Sequence, residues 1–258
     1  MQMRTGVYWS VGAGGGKNQD SLSLQHVSLQ RGECLLAAVC DGIGSLVRCE
    51  EAGGFAVRRM TDWFYHEGRE LIYKNSAKEL ILFSLQRQLC QIQEHLKHFQ
   101  FTERIQTGTT FTGILLIKDR YYLMHIGDSR IYRIRKKTIP LIKQKYSIQR
   151  MTQDDKNEKG YLLKCLGMAG EDRVFLDTGK LKKHTCLLLA TDGFYHGSFE
   201  KRAGQSLGPL LTGSCKKRGG RGADFDEEAL DRRLELLGEL AVREGSRDNM
   251  AAIAILVL

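Results

Sequence analysis

The chain has 258 residues, long enough to bury a sizeable core and near the upper end of what one sandwich or α/β domain holds. With 42% hydrophobic residues, 27% charged residues and two prolines, its composition excludes a disordered or fibrous chain. The net charge of +9 suits an acidic partner, but no aromatic-basic recognition motif accompanies it, so a nucleic-acid partner is not expected.

No run approaches the about eighteen consecutive apolar residues of a membrane helix, so no membrane segment is expected. The start, "MQMRTGVYWSVGAGGG", lacks the basic-then-apolar pattern of a secretory signal, which predicts a cytoplasmic protein. The seven cysteines, at 34, 40, 49, 90, 165, 186 and 215, form no CxxC pair and stand mostly among apolar neighbours. They read as reduced core residues and support neither a zinc site nor a dithiol motif.

In chain order, Asp20 stands in "KNQDSLSL", just before a short alternating segment. The apolar run "ECLLAAVC" (33–40) predicts a strand, and "CDGIGSLVRCEEAG" (40–53) follows it with an Asp-Gly turn signal. Ala52, Phe55, Ala56, Met60, Trp63 and Phe64 recur at helical spacing. A second helix opens at "SAKE", where Ser76 is expected to cap and Glu79 to reciprocate, and carries Leu80, Leu85, Leu89, Ile92, Leu96 and Phe99.

Strands are then predicted over 109–117 and 121–126, joined as a hairpin across Lys118, Asp119 and Arg120, and over 131–134, 185–191 and 250–258. Ala229, Leu230, Leu234, Leu237 and Leu240 mark a third helix. Before it, "GSCKKRGGRGADFDEE" (213–228) reads as a mobile surface loop whose basic residues are candidates for docking a partner. Strands in clusters with helices between the clusters predict an α+β layered sandwich in one domain, 1–258.

Five aspartates fall at strand-loop junctions: Asp20, Asp41, Asp128 in "HIGDSRIY", Asp192 in "LLLATDGF" and Asp248 in "GSRDNM". Each alone is an ordinary turn residue, yet an antiparallel sandwich brings many strand ends to one edge. Carboxylates gathered there repel one another unless a cation neutralises them. An all-oxygen set suits a hard cation, Mn²⁺ or Mg²⁺, and Gly42 adds a carbonyl that an ion can approach without a side chain in the way.

"KNQDS", "DGIGS", "GTTFTG", "HIGDSRIY", "ATDGF" and "SRDN", in this order, resemble the metal-dependent protein serine/threonine phosphatases of the type 2C family in a compact bacterial-like form. The resemblance implies a four-layer α-β-β-α sandwich, two antiparallel β-sheets flanked by helices, with a binuclear centre at one edge. By position, Asp41 bridges the two ions, Gly42 lends its carbonyl, Asp192 and Asp248 complete the first ion's ligands, and Asp20 orients the attacking water. A third, weaker ion falls to Asp128 and Asp192. The segment 152–170 falls where the family carries a mobile flap beside the active site.

Three positions depart from the family pattern. Gly15 stands where an arginine usually grips the substrate phosphate, leaving Lys17 or Arg4 to supply positive charge. Gln19 replaces a glutamate that helps hold the second ion, which implies an uncharged oxygen ligand and weaker binding there. Ile43 stands where some members carry a histidine proposed as general acid. The resemblance implies dephosphorylation of phosphoserine and phosphothreonine in proteins, in opposition to a serine/threonine kinase, by a monomer. The alternative is a catalytically weak or inactive phosphoprotein-binding regulator of the same fold.

Overall fold

The computed structural model describes residues 1–29, 32–136, 146–168, 173–212 and 228–258. Among these residues ten strands form two five-stranded sheets. One sheet runs β1 (Met3–Ser10), β10 (Met250–Val257), β9 (Thr185–Ala190), β6 (Arg130–Lys136), β7 (Tyr146–Arg150). The other runs β2 (Ser21–Leu29), β3 (Gly32–Cys40), β4 (Phe111–Ile117), β5 (Arg120–Ile126), β8 (Phe175–Lys180). All the neighbouring strands pair antiparallel.

The unbroken apolar runs have a simple cause: the inner strands are covered on both faces. Side chains alternate along a strand, so burial of both faces removes any polar alternation. In β3, Leu35, Ala37 and Val39 face the opposite sheet, while Cys34, Leu36, Ala38 and Cys40 pack beneath helices. In β10, Ala251, Ile253, Ile255 and Val257 meet the same inter-sheet core, while Met250, Ala252, Ala254 and Leu256 face outward to helices.

Helix α1 (Cys49–Trp63) and helix α3 (Lys78–Glu103) cover the β2–β8 sheet through Ala52, Ala56, Met60, Trp63, Leu85, Leu89, Ile92 and Leu96. A stretch of π-helix (Phe64–Gly68) and the short α2 (Arg69–Tyr73) join them. Helices α4 (Phe199–Leu207) and α5 (Glu228–Arg243) cover the other sheet through Phe199, Ala203, Leu207, Leu230, Leu234, Leu237 and Ala241. This is the expected four-layer α-β-β-α sandwich.

Several local expectations shift. Ser76 is not the cap of α3: Ala77 holds that place with φ −59° and ψ 148°, and its carbonyl accepts the amides of Leu80 (3.1 Å) and Ile81 (3.2 Å). Leu80 points to solvent, and Ile81 takes its place in the core. Strands β1, β7 and β8 and helix α4 had no predicted counterpart. Five of the six described cysteines are buried as expected, while Cys90 is exposed on α3; Cys215 lies outside the described residues. Residues 213–227 of the basic loop also lie outside them. Among the described residues no helix is long and apolar enough to cross a membrane.

Candidate metal centre

Strand register decides what meets at one edge of the sandwich. Ser21 pairs with Cys40, Phe111 with Ile126, Arg130 with Ala190 and Ser10 with Met250. The starts of β2, β4, β6 and β10 therefore lie beside the ends of β3, β5, β9 and β1. Asp20, Asp41, Asp128, Asp192 and Asp248 each stand within two residues of one of those ends, so both sheets deliver carboxylates to the same rim.

Asp41 is fixed by its backbone. Its N–H donates to Thr110 Oγ1 (2.9 Å), and its carbonyl accepts Thr109 Oγ1 (3.0 Å) and the Thr110 N–H (2.9 Å). Thr110 Oγ1 also meets Ser129 Oγ at 2.9 Å, next to Asp128. These bonds explain why β4 begins at Phe111 rather than Thr109: the two threonines are spent on the Asp41 turn. The 42–109 bridge is closed by the Ile43 N–H on Gly108 O (3.1 Å) and by the Asp41 carbonyl, which leaves the Gly42 carbonyl outside that ladder. Gly42 donates its N–H to Gln19 O (3.2 Å), and a Cβ on it would lie 2.9 Å from that oxygen, so the loops approach this closely only because residue 42 is glycine.

Asp20 is 3% exposed, with Oδ2 accepting Thr191 Oγ1 at 2.7 Å and its own carbonyl accepting Trp9 Nε1 at 3.0 Å. Asn249 joins the remaining loops: its Oδ1 accepts the Gln19 N–H (2.8 Å), and its Nδ2 donates to Val11 O (3.0 Å). Its own N–H donates to Asp248 Oδ1 at 2.8 Å. The Gln19 amide oxygen lies against Gly44.

The electrostatics record the crowding. Burial pushes the Asp20 carboxyl up to about 7, with the charges of Asp192 and Asp248 adding to it and the Thr191 hydrogen bond opposing. Burial, then Asp20, Asp192, Asp128 and Asp248, hold Asp41 well above the ordinary carboxylate range. Asp192 is raised by burial and by Asp128 and Asp248, against the pull of Lys156.

The segment from Thr152 to Met168, most of the expected flap, is tied at both ends. At its start, the Gln153 carbonyl meets His125 Nε2 (2.8 Å), and Asp155 accepts the Gly127 N–H on Oδ2 (2.9 Å). Asp154 grips Arg130 through Nε (3.0 Å) and Nη2 (2.6 Å). At its end, Leu166 exchanges backbone bonds with Thr109 (3.0 and 2.9 Å), and Gln93 bonds Gly167 N (2.7 Å) and Met168 O (2.9 Å). Lys156 contacts Asp128 in a short ion pair and lies 3.7 Å from Asp192 Oδ2.

The two expected phosphate-binding residues lie in different places. Lys17 is exposed near the rim and ion-paired with Glu50. Arg4 stands opposite Leu256 near the far end of β1, about 20 Å along the strand from Ser10, because each residue rises ~3.3 Å; it does not reach the carboxylates.

The family model for protein phosphatase 2C matches residues 12–234. The chain belongs to that family. Its enzyme class is protein serine/threonine phosphatase. A bacterial serine phosphatase superposes with a TM-score of 0.75 at 20% identity, covering 100% of this chain and 98% of that one. The Mycobacterium tuberculosis serine/threonine phosphatase PstP/Ppp gives 0.72 at 20%, covering 99% and 98%. Stp1 from Staphylococcus aureus gives 0.75 at 18%, covering 100% and 96%. At these identities the likeness is one of fold. No curated protein sequence matches the chain.

The phosphatase 2C chain carries a donor set that fits divalent ions. The set is all oxygen, Asp192 Oδ1 is buried with no hydrogen-bond partner, and the Gly42 carbonyl stands clear of the bridge. Among the described residues no three acidic, His or Cys side chains already surround one point as a finished coordination sphere. The carboxylates instead rest on protein donors: Thr191 on Asp20, Lys156 on Asp128 and Asp192, and the Asn249 N–H on Asp248. Thr109, Thr110, Thr191 and Lys156 are parts of the site that the sequence alone does not single out; Thr109 and Thr110 fall within the predicted strand 109–117.

Proposed function

We propose that the chain hydrolyses phosphoserine and phosphothreonine esters in proteins, in the cytoplasm and in opposition to a serine/threonine kinase. One observation carries the reading: five aspartates from both sheets converge on one rim, and burial with mutual repulsion raises three of them. The PstP catalytic domain, similar in fold with a TM-score of 0.71 at 21% identity, is a complex with two manganese ions.

Asp41 would bridge two ions, with the Gly42 carbonyl, Asp192, Asp248 and Gln19 as further ligands. Two Mn²⁺ or Mg²⁺ ions there would lower the pKa of a water and polarise the phosphoryl group. Thr109 and Thr110 hold the Asp41 backbone, so the bridging carboxylate is oriented before any ion binds. The Thr191 hydroxyl fixes Oδ2 of Asp20 and so orients the carboxylate that would accept a hydrogen bond from the attacking water. Lys17 supplies the positive charge that Gly15 does not. Its pair with Glu50 is solvent-exposed and screened, so it exchanges readily for a phosphate.

The test is hydrolysis of a phosphothreonine peptide and of p-nitrophenyl phosphate with Mn²⁺, with Mg²⁺ and with chelator. Turnover is expected only with metal, and only above Asp41→Asn and Asp192→Asn controls. Metal-independent turnover, or none above those controls, would sink the reading; phosphopeptide binding without turnover would point to a regulator.

A further inference from the structure

Asp128 follows β5 and Asp192 follows β9, and one side chain joins them. Lys156 Nζ pairs with Asp128 Oδ2 and lies 3.7 Å from Asp192 Oδ2, with the lysine side chain 30% exposed. Its three predecessors are each tied to the β5–β6 region: Gln153 to His125, Asp154 to Arg130, and Asp155 to Gly127. A bridge between Lys156 and Leu162 closes the hairpin on its other side. The tether from 153 to 155 sets where the stem of Lys156 begins, so its ammonium is delivered to this pair of carboxylates by the fold and does not roam the surface.

We propose that Lys156 is a built-in cation that takes the place of a third divalent ion between Asp128 and Asp192, so that the centre loads two ions and no more. The inference rests on reading the aspartate rim as a metal centre. Formal charge favours it: the rim gathers five carboxylates, the ammonium meets two of them, and the deficit that remains is one that two divalent ions close, while a further ion would have to share the Asp128 and Asp192 oxygens with an ammonium of like charge. An ammonium also differs from a metal in kind. It donates hydrogen bonds and holds no exchangeable ligand water, so this corner of the site neutralises charge and ties residues 153–168 to the rim without offering an open coordination position.

The experiment counts Mn²⁺ per folded chain by equilibrium dialysis with elemental analysis, up to millimolar free ion, on the wild-type protein and on Lys156→Met, Lys156→Gln and Lys156→Arg. Two ions are expected for wild type and Lys156→Arg. A third saturable site, at least tenfold tighter than any further binding to wild type, is expected for the Met and Gln variants. Three ions on wild type, or two on both uncharged variants, would overturn the proposal while leaving the metal centre standing. No Mn²⁺ on wild type would overturn the metal-centre reading and this inference together.

Discussion

Thr191 donates its hydroxyl to Asp20 Oδ2 at 2.7 Å and accepts the Ala251 amide at 2.9 Å, joining residues 171 positions apart in sequence. One buried hydroxyl thus satisfies a β10 amide and orients a carboxylate brought in from the other sheet. Thr191→Val keeps the shape and removes both bonds, so it leaves a buried N–H unpaired at a cost of about 2 kcal/mol. Denaturant unfolding should show that loss, and Mn²⁺ titration should show affinity lower by roughly 10–100-fold, the usual cost of losing a group that orients a ligand. Thr191→Ser should restore both. Unchanged Mn²⁺ affinity in the Val variant would remove Thr191 from the site.

The raised carboxyls make the chelated protein sensitive to pH in a definite direction. Asp20 is displaced from 3.8 to about 7 by burial first, so folding favours its protonated form. A group raised on folding contributes stability that is complete below its unfolded pKa and is lost as pH climbs through its folded pKa. The displacement corresponds to about 4 kcal/mol for Asp20, and Asp41 and Asp192 act in the same sense. Thermal melts in chelator should therefore fall from about pH 5 to about pH 8. Added Mn²⁺ should raise the melting temperature more at the upper end, where the ligands are deprotonated. A chelated melting temperature that is flat or rising over that range would contradict this account.

The Arg130–Asp154 fork works in the opposite sense. Burial alone would raise Asp154, but the Arg130 hydrogen bonds and the charges of Arg130, Arg150 and Lys156 outweigh it, and its carboxyl is lowered. Its stability is present above the unfolded pKa and is lost as pH falls through the folded one. Asp154→Asn should cost about 2 kcal/mol, the scale of hydrogen bonds to a charged group in a partly buried place. Hydrogen exchange should quicken at the amides of 153–156, and protection unchanged there would show that Asp154 does not anchor the segment.

What was legible in the sequence follows the layers. Strands β3, β4, β5, β9 and β10 are buried on both faces or nearly so, and their apolar runs stand out. Strands β1, β7 and β8 lie at sheet edges, and "YSIQR" and "FLDTGK" keep polar residues that local pattern does not separate from loop. The five aspartates were visible because each follows or precedes a strand. Lys156 was not visible: its meaning depends on Gln153, Asp154 and Asp155 meeting His125, Arg130 and Gly127 across long stretches of chain, and no local signal marks such contacts. Arg4 failed for the reverse reason, since closeness in sequence to the first motif hides the length of an intervening strand.

Gly193 marks where the Asp192 and Asp248 loops touch. A Cβ there would lie 2.1 Å from the Asn249 carbonyl oxygen and 3.1 Å from the Asp248 Cβ, so Gly193→Ala must push the two loops apart. Overpacking of this kind costs about 1–3 kcal/mol, and here it also separates two proposed ligands. Gly54→Ala is a fair control, since its nearest neighbour would be Ser21 Oγ at 3.9 Å. Melting temperature and Mn²⁺ affinity should both drop for Gly193→Ala and hold for Gly54→Ala. A Gly193→Ala protein with wild-type affinity would mean that loop spacing does not set the site.

Asp41→Asn separates stability from function. The carboxylate is raised chiefly by burial and then by four neighbouring aspartates, so its charged form is unfavourable whenever no cation is bound. An amide of the same shape keeps the backbone bonds to Thr109 and Thr110, which use the Asp41 main chain rather than its side chain. The variant should be more stable than wild type in chelator at pH 8, by about 1–2 kcal/mol, the range typical when a strained functional group is relieved. That gain should shrink as pH falls, because the wild-type carboxyl takes up a proton and no longer repels its neighbours. Saturating Mn²⁺ should reverse the order, because wild type gains binding energy that the amide does not recover. Chelated melts of the two proteins that coincide at pH 8 would show that Asp41 carries no repulsion to relieve.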